Sequence, residues 1–315
     1  MKTLLIGTLL WASAAAAQTW PTKPLRWIVP TGPGSAVDVN ARRVAPRLAE
    51  LLGQPVIVEN KPGANSMIGA REAARAAPDG YTLYQAVVNN AINDALAPDP
   101  CCVLNDRLVA VTRLYTTPLV MVVHPGVQAA TLQEYVALAK AKPGALTYAS
   151  GGTGSITQMI AELLKVTAGI QVREIPYKAI GAELPDLTGG HVATAFLSPV
   201  VIRDQVRAGR LRGMAVAARE RLAILPEIPT MAEAGLPIEG LGWNGIFVPA
   251  GTPAAIIDRL QQEIARVLRN KEIQDDALTL GTQAGGERPE EFAAFVRSEV
   301  QKWGKVIKDA GISAQ

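Results

Sequence analysis

Twice along the chain an apolar strand runs into a glycine-rich loop that carries hydroxyl residues and opens straight into an amphipathic helix. The first copy is Leu25-Arg26-Trp27-Ile28-Val29, then Pro30-Thr31-Gly32-Pro33-Gly34-Ser35, then a helical stripe of Val39, Val44, Leu48, Leu51 and Leu52 stopped by Gly53. The second is a strand over 146–149, then Ser150-Gly151-Gly152-Thr153-Gly154-Ser155. Ile156, Met159, Ile160, Leu163 and Leu164 follow on one helix face. Such a unit constrains the fold strongly. Its helix must lie back on the sheet, and the next strand then runs parallel to the first.

The rest of the chain keeps the same alternation. Strands are expected over 55–59 and 81–88, with turns at Pro62-Gly63 and Pro78-Asp79-Gly80 and a short helix over 67–76 between them. The run Leu119-Val120-Met121-Val122-Val123 lacks alternation, as a strand buried on both faces would. Thr131 and Glu134 form a capping box, and Ser155 and Gln158 a second one. Short strands follow near 172–175, 193–197, 213–217 and 246–248. Thr252 is then the expected N-cap, with Pro253 at the first helical position, of a helix to about 269, and a last helix covers 289–310. The expected class is α/β with mainly parallel sheets. Because the middle block restarts the pattern, two α/β lobes are expected. One comprises 18–122 with 243–315 and the other 123–242, with crossings at 122–125 and 243–249.

The length of 315 residues suits two medium domains, and a composition 49% hydrophobic and 19% charged is that of a folded globule. Residues 1–17 are expected to stand outside it. Lys2, an apolar run over 4–11 and Ala15-Ala16-Ala17 read as a cleavable secretory signal, too short to span a bilayer. Its removal lowers the net charge from +3 to +2, too weak a balance for nucleic-acid binding by charge alone. The two cysteines, Cys101 and Cys102, are adjacent, so they cannot staple distant segments; a strained vicinal disulfide and two free thiols both remain open. With only His124 and His191 and no C-x-x-C, no metal site or cofactor is expected.

The twin loops carry the chemistry. Glycine lets the backbone turn sharply, and the free N–H groups of a helix's first turn attract anions, helped by the helix dipole. Neither loop contains Arg or Lys, so capture by backbone and hydroxyl groups is expected. The candidate contacts are Thr31, Gly34, Ser35 and Asp38 in the first unit, and Ser150, Thr153, Gly154 and Ser155 in the second. Asn89 and Ser198 complete the set. Catalytic signatures are missing: Gly32-x-Gly34 is followed by Val37 and Gly152-x-Gly154 by Thr157, so no dinucleotide fingerprint forms. There is no phosphate-binding P-loop and no G-x-S-x-G elbow. The expectation is a binding protein rather than an enzyme.

Longer strings carry a family resemblance across almost the whole mature chain. They include Val58-Glu59-Asn60-Lys61-Pro62-Gly63-Ala64, Pro78-Asp79-Gly80-Tyr81-Thr82-Leu83, Tyr148-Ala149-Ser150-Gly151 and Pro176-Tyr177-Lys178. Further along come Leu225-Pro226-Glu227-Ile228-Pro229-Thr230 and Lys302-Trp303. With these the chain resembles the extracytoplasmic receptors of tripartite tricarboxylate transporters, the Bug-type receptors. The resemblance implies a two-lobed periplasmic-binding-protein fold of type II, the Venus flytrap, closing on a small organic carboxylate. It also implies a periplasmic monomer that delivers this ligand to the integral-membrane permease subunits. A ligand sensor facing a membrane signalling protein is the alternative role. Departures from the family pattern fall in the first loop and nearby. Thr31 replaces a bulky apolar residue, Ser35 a glycine and Val37 a hydroxyl residue. Asn89-Asn90 stands where Thr and His are common, Ala179 where Gly is usual, and Asn244 where an aromatic usually follows Trp243. Val37 is expected to add an apolar wall suited to aliphatic or aromatic acids.

Overall fold

The computed structural model describes residues 20–96, 103–177 and 182–313; residues 1–17, Cys101, Cys102 and Ala179 lie outside these. In chain order the first block comprises β1 (Leu25–Val29), α1 (Ala36–Leu52), β2 (Val56–Asn60), α2 (Met67–Ala74), β3 (Thr82–Val87), α3 (Val88–Leu96) and β4 (Leu108–Pro118). The middle block holds β5 (Val120–Val123), α4 (Leu132–Ala141), β6 (Thr147–Ser150), α5 (Ile156–Ala168), β7 (Arg173–Pro176), α6 (Leu184–Thr188), β8 (Thr194–Leu197), α7 (Pro199–Arg207) and β9 (Arg212–Val216). The last block is β10 (Leu241–Pro249), α8 (Ala254–Leu268), α9 (Lys271–Thr279), β11 (Gln283–Ala284) and α10 (Pro289–Ala310).

These strands make two sheets, ordered β11-β4-β10-β3-β1-β2 and β7-β6-β8-β5-β9. In the first, β1 runs parallel to β2 and β3; in the second, β6 runs parallel to β7 and β8. The parallel strands of each sheet therefore end on one edge, where Thr31, Lys61 and Val88 leave the first sheet and Gly151, Tyr177 and Ser198 leave the second. The chain passes from first sheet to second between Pro118 and Val120, and returns at Gly240. Both passages lie a few residues ahead of the 122–125 and 243–249 expected from the apolar runs. Pro118 ends β4, so Val120 to Val123 pair with β8 and β9 instead of leading out of the first sheet. The two passages run side by side: Leu119 N donates to Gly240 O (3.3 Å), and Gly240 N to Ala217 O (3.0 Å). Gly240 has no room for a side chain, because a Cβ there would collide with Ile160 of α5.

Local rules account for most boundaries. Gly53 ends α1 in the left-handed region (φ 69°) with its N–H on Ala49 O, and Gly169 (φ 62°) ends α5 in the same way. Thr131 caps α4 by accepting the Glu134 N–H. One expected cap fails. Thr252 Oγ1 donates to Pro249 O (2.7 Å), closing its own turn, and α8 begins at Ala254 with Pro253 as the N-cap. Helices α1 and α8 cover one face of the first sheet around Trp27, Leu83 and Ile246. The other face carries Ile28, Tyr84 and Phe247 beneath α3 and α10. Met159 of α5 belongs to that second cluster, so the middle block packs directly against the first.

One buried group sits uneasily there. Asp94 of α3 accepts the Leu104 N–H on Oδ2 (2.8 Å), while Oδ1 is buried with no hydrogen-bond partner among the described residues. Burial pushes its pKa up to about 6. A carboxyl whose pKa is raised on folding costs stability at pH 7 and regains it as pH falls through 6 toward 4. Asp94→Asn should therefore stabilise the protein by about 1–3 kcal/mol at pH 7, with the gain gone near pH 4. Denaturant unfolding at both pH values checks this.

Candidate ligand-binding site

The first glycine-rich loop is held by a carboxylate at its base. Asp38, only 2% exposed, accepts the Gly34 N–H (2.9 Å), the Asn60 amide (2.8 Å) and the Arg42 guanidinium (3.0 and 3.1 Å). Burial opposes its charge, but these hydrogen bonds from Gly34, Arg42 and Asn60, with the Arg42 charge, hold the pKa below the usual carboxylate range. Asn60 also donates to Thr31 O (3.0 Å), tying the end of β2 to the loop. Asp38 thus positions the loop. Its carboxylate oxygens are engaged by its own chain.

The second loop repeats the device with other residues. Gly154 N donates to Gln158 Oε1 (2.9 Å), as Gly34 N does to Asp38. Each loop's serine caps the helix that follows: Ser35 Oγ accepts Asp38 N and Ser155 Oγ accepts Gln158 N, both at 3.2 Å. The expected box at Ser155 is therefore shifted, because Gln158 reaches back to Gly154. Gln158 is steadied by Glu174 of β7, which accepts its amide (3.1 Å) and the Ser150 hydroxyl (2.5 Å). Ser150 Oγ in turn accepts Gly152 N (3.0 Å). Ser150 is thus a support for the loop.

These bonds determine which donors stay available. The N–H groups of Gly34, Asp38, Gly154 and Gln158 are taken. Those of Ala36 and Val37 in α1, and of Ile156 and Thr157 in α5, sit in the first helical turn, where no intrahelical acceptor exists. Thr31 and Ser35 share one hydrogen bond (2.7 Å), leaving one of their two hydroxyl protons free. Ser155 and Thr157 share another (3.2 Å) with the same remainder. Each loop so presents two backbone N–H groups and one O–H, the donor set a carboxylate needs. Thr153 is half-buried beside the second set. Ser198, N-cap of α7 at the end of β8 on the same sheet edge, makes no capping bond, and its hydroxyl has no partner among the described residues. The half-buried side chain of Val37, expected as an apolar wall, packs with the core cluster that contains Trp27.

A cluster of asparagines brings the two edges together. Asn65 donates to Gly154 O (3.1 Å) across the gap and to Asn93 Oδ1 (3.1 Å), accepts from Asn89 Nδ2 (2.7 Å) on its Oδ1, and its carbonyl accepts Asn93 Nδ2 (2.9 Å). Asn89 therefore acts through Asn65 in this arrangement. The turn presenting Asn65 holds three successive non-glycine residues at positive φ: Ala64 (46°), Asn65 (49°) and Ser66 (75°). Such backbone costs roughly 1–3 kcal/mol per residue and persists where surrounding contacts impose it, typically at ligand clamps. Sequence reasoning missed Asn65, although it directly follows the family string ending at Ala64. Away from these loops, His124 Nδ1 accepts the Gly126 N–H (3.1 Å) and serves a turn.

Two parallel-edged sheets joined by paired strand passages, each with a glycine-rich loop opening a helix and with Asn65 reaching from one to Gly154 of the other, define a two-lobed solute-binding protein. The comparisons agree. Residues 40–312 match the model of the tripartite tricarboxylate transporter family receptor, and the chain belongs to that family, whose members are periplasmic solute-binding receptors and not enzymes. It is 34% identical over 312 residues to the protein BugT of Bordetella pertussis, covering 98% of this chain and 95% of the relative. A Rhodopseudomonas palustris structure solved with adipate matches at a TM-score of 0.81 and 28% identity, covering 93% of this chain and 99% of that one. The protein MatC of the same organism, solved with bound malate, matches at a TM-score of 0.80 and 27% identity, covering 91% and 100%.

Proposed function

We propose that this protein is exported by its residues 1–17 and acts in the periplasm as a monomeric receptor. It closes two lobes on a small organic carboxylate and hands it to the membrane permease of a tripartite transporter. The observation that carries this reading is the pair of matching helix N-termini, α1 in one sheet unit and α5 in the other, each with two N–H groups in its first turn and a spare hydroxyl. The relatives solved with adipate and malate support an acid as ligand. Three or four hydrogen bonds to a charged group, at roughly 1.5–3 kcal/mol each, suffice for micromolar affinity after the cost of association.

Titration calorimetry against mono-, di- and tricarboxylates tests the reading. A ligand at about a hundred times its dissociation constant should also add roughly 2.7 kcal/mol of stability. Ser35→Ala and Ser155→Ala should each weaken the best acid at least about tenfold, the loss of one charge-assisted hydrogen bond. Unchanged affinity in both variants would show that the loops do not hold the ligand.

A further inference from the structure

A relay of buried amides runs beneath the first turn of α1. Trp27 Nε1 donates to Gln85 Oε1 (3.0 Å), and Gln85 Nε2 donates to Val37 O (3.2 Å) and to Asn244 Oδ1 (2.9 Å). Gln85 is fully buried and Asn244 is 5% exposed. An indole N–H can only donate, so Trp27 fixes which end of the Gln85 amide is oxygen. Gln85 then fixes Asn244: its oxygen faces Gln85 and its Nδ2 turns away. Among the described residues that nitrogen has no acceptor. It is also absent from the sealed side-chain atoms that make no hydrogen bond, so it reaches open space.

Its place in the sheet identifies that space. Asn244 pairs with Val87, the last residue of β3, four residues from the Gly240 passage and on the face covered by α1. Continuing the β1–β3 register from Ile28↔Tyr84 puts Thr31 level with Val87. Asn244 thus lies two strand spacings, about 10 Å, across the sheet from Thr31. Gln85 alone separates it from the Val37 carbonyl, and the Val37 N–H is one of the free donors. A carboxylate held at the start of α1 therefore has Nδ2 within the length of one small molecule.

We propose that Asn244 is a specificity-determining residue whose Nδ2 donates to a second acceptor oxygen of the ligand. This rests on the carboxylate reading above. Because the relay locks the amide as a donor, it favours acids bearing a distal carboxylate or carbonyl. Acids that present an ammonium or a bare alkyl end there would leave the donor unmade.

Wild type, Asn244→Asp and Asn244→Leu should be compared by calorimetry with succinate, adipate, 2-oxopentanoate and pentanoate, after thermal melts confirm folding. Asn244→Asp keeps the acceptor for Gln85 but exchanges the donor for a negative charge; Asn244→Leu keeps the volume with neither donor nor charge, so it isolates the lost hydrogen bond from the charge. The wild type should prefer the acids with the second oxygen. Both variants should lose about tenfold or more for those acids, and Asn244→Leu should hold pentanoate within about threefold. Equal losses for all four acids, or none, would overturn the proposal. So would a wild type that prefers pentanoate, which leaves the receptor function standing. A wild type that binds no carboxylate of the wider panel defeats both.

Discussion

Gly154→Val should weaken ligand binding at least a hundredfold in a chain that still folds. Gly154 sits at φ 77°, and a Cβ there would lie 3.1 Å from Asn65 Nδ2 and 3.4 Å from Asn93 Oδ1. A β-branched residue is disfavoured at that φ, and its methyl groups extend further into the asparagine cluster. The loop must then either leave its conformation, losing the Gly154–Gln158 bond that shapes the start of α5, or push the two sheet edges apart. Both outcomes separate the donor sets of α1 and α5, and losing two charge-assisted bonds corresponds to roughly 3–6 kcal/mol. Gly152→Val is the matched control. Gly152 has nearly the same φ, 85°, yet a Cβ there meets nothing within 4 Å. It should destabilise the loop by roughly 1–2 kcal/mol through backbone strain with a far smaller effect on affinity. Calorimetry and thermal melts on both variants separate the contact from the strain. Equal loss of affinity would remove the Asn65–Gly154 contact from the account.

What the sequence disclosed about this site was local. The two loops were legible because glycine, serine and an apolar helical stripe follow one another within a dozen residues, and each obeys a rule that needs no partner. Their supports were not. Asn60 and Glu174 act through hydrogen bonds between segments up to 29 residues apart, as from Asn60 to Thr31 O, and no spacing rule announces such a pairing. The turn at 64–66 was hidden for the opposite reason. Local preference argues against positive φ at Ala64 and Ser66, so tertiary contacts must have imposed it. The fold shows the same division. β4, with 11 residues, was missed because Thr112, Arg113 and Thr116 interrupt its apolar pattern, although Thr112 is fully buried with its hydroxyl donated to Glu287 O (2.8 Å). β10 starts at Leu241 rather than 246 because Gly242 and Gly245 carry no strand signal. Gly245 is required for close packing, since a Cβ there would collide with the Phe292 ring.

The strand that carries Asn244 depends on one carboxylate, and Glu299→Ala should be the most destabilising single change in the first lobe's polar core. Glu299 of α10 is 4% exposed. Its Oε2 accepts the indole N–H of Trp243 (3.2 Å) from β10 and of Trp303 (3.0 Å) from α10, and Oε1 accepts the Lys302 ammonium. Trp303 is fully buried and Trp243 nearly so, so neither indole has water as a substitute acceptor. Truncation therefore leaves two buried donors unmade and removes the ion-pair partner of the partly exposed Lys302, for which a loss of about 3–5 kcal/mol is expected. A melting point lower by roughly 6–15 °C follows at this chain length. Glu299→Gln keeps an oxygen for the indoles but turns its N–H₂ toward Lys302, and should lose only about 1–2 kcal/mol. Chemical denaturation of both variants measures the difference. Alanine and glutamine costing the same would mean that the charge, and not the pair of indole hydrogen bonds, holds β10 to α10. The folded Glu299→Gln protein should still bind its acid, because Trp243 faces α10 while Asn244, next along the strand, faces α1.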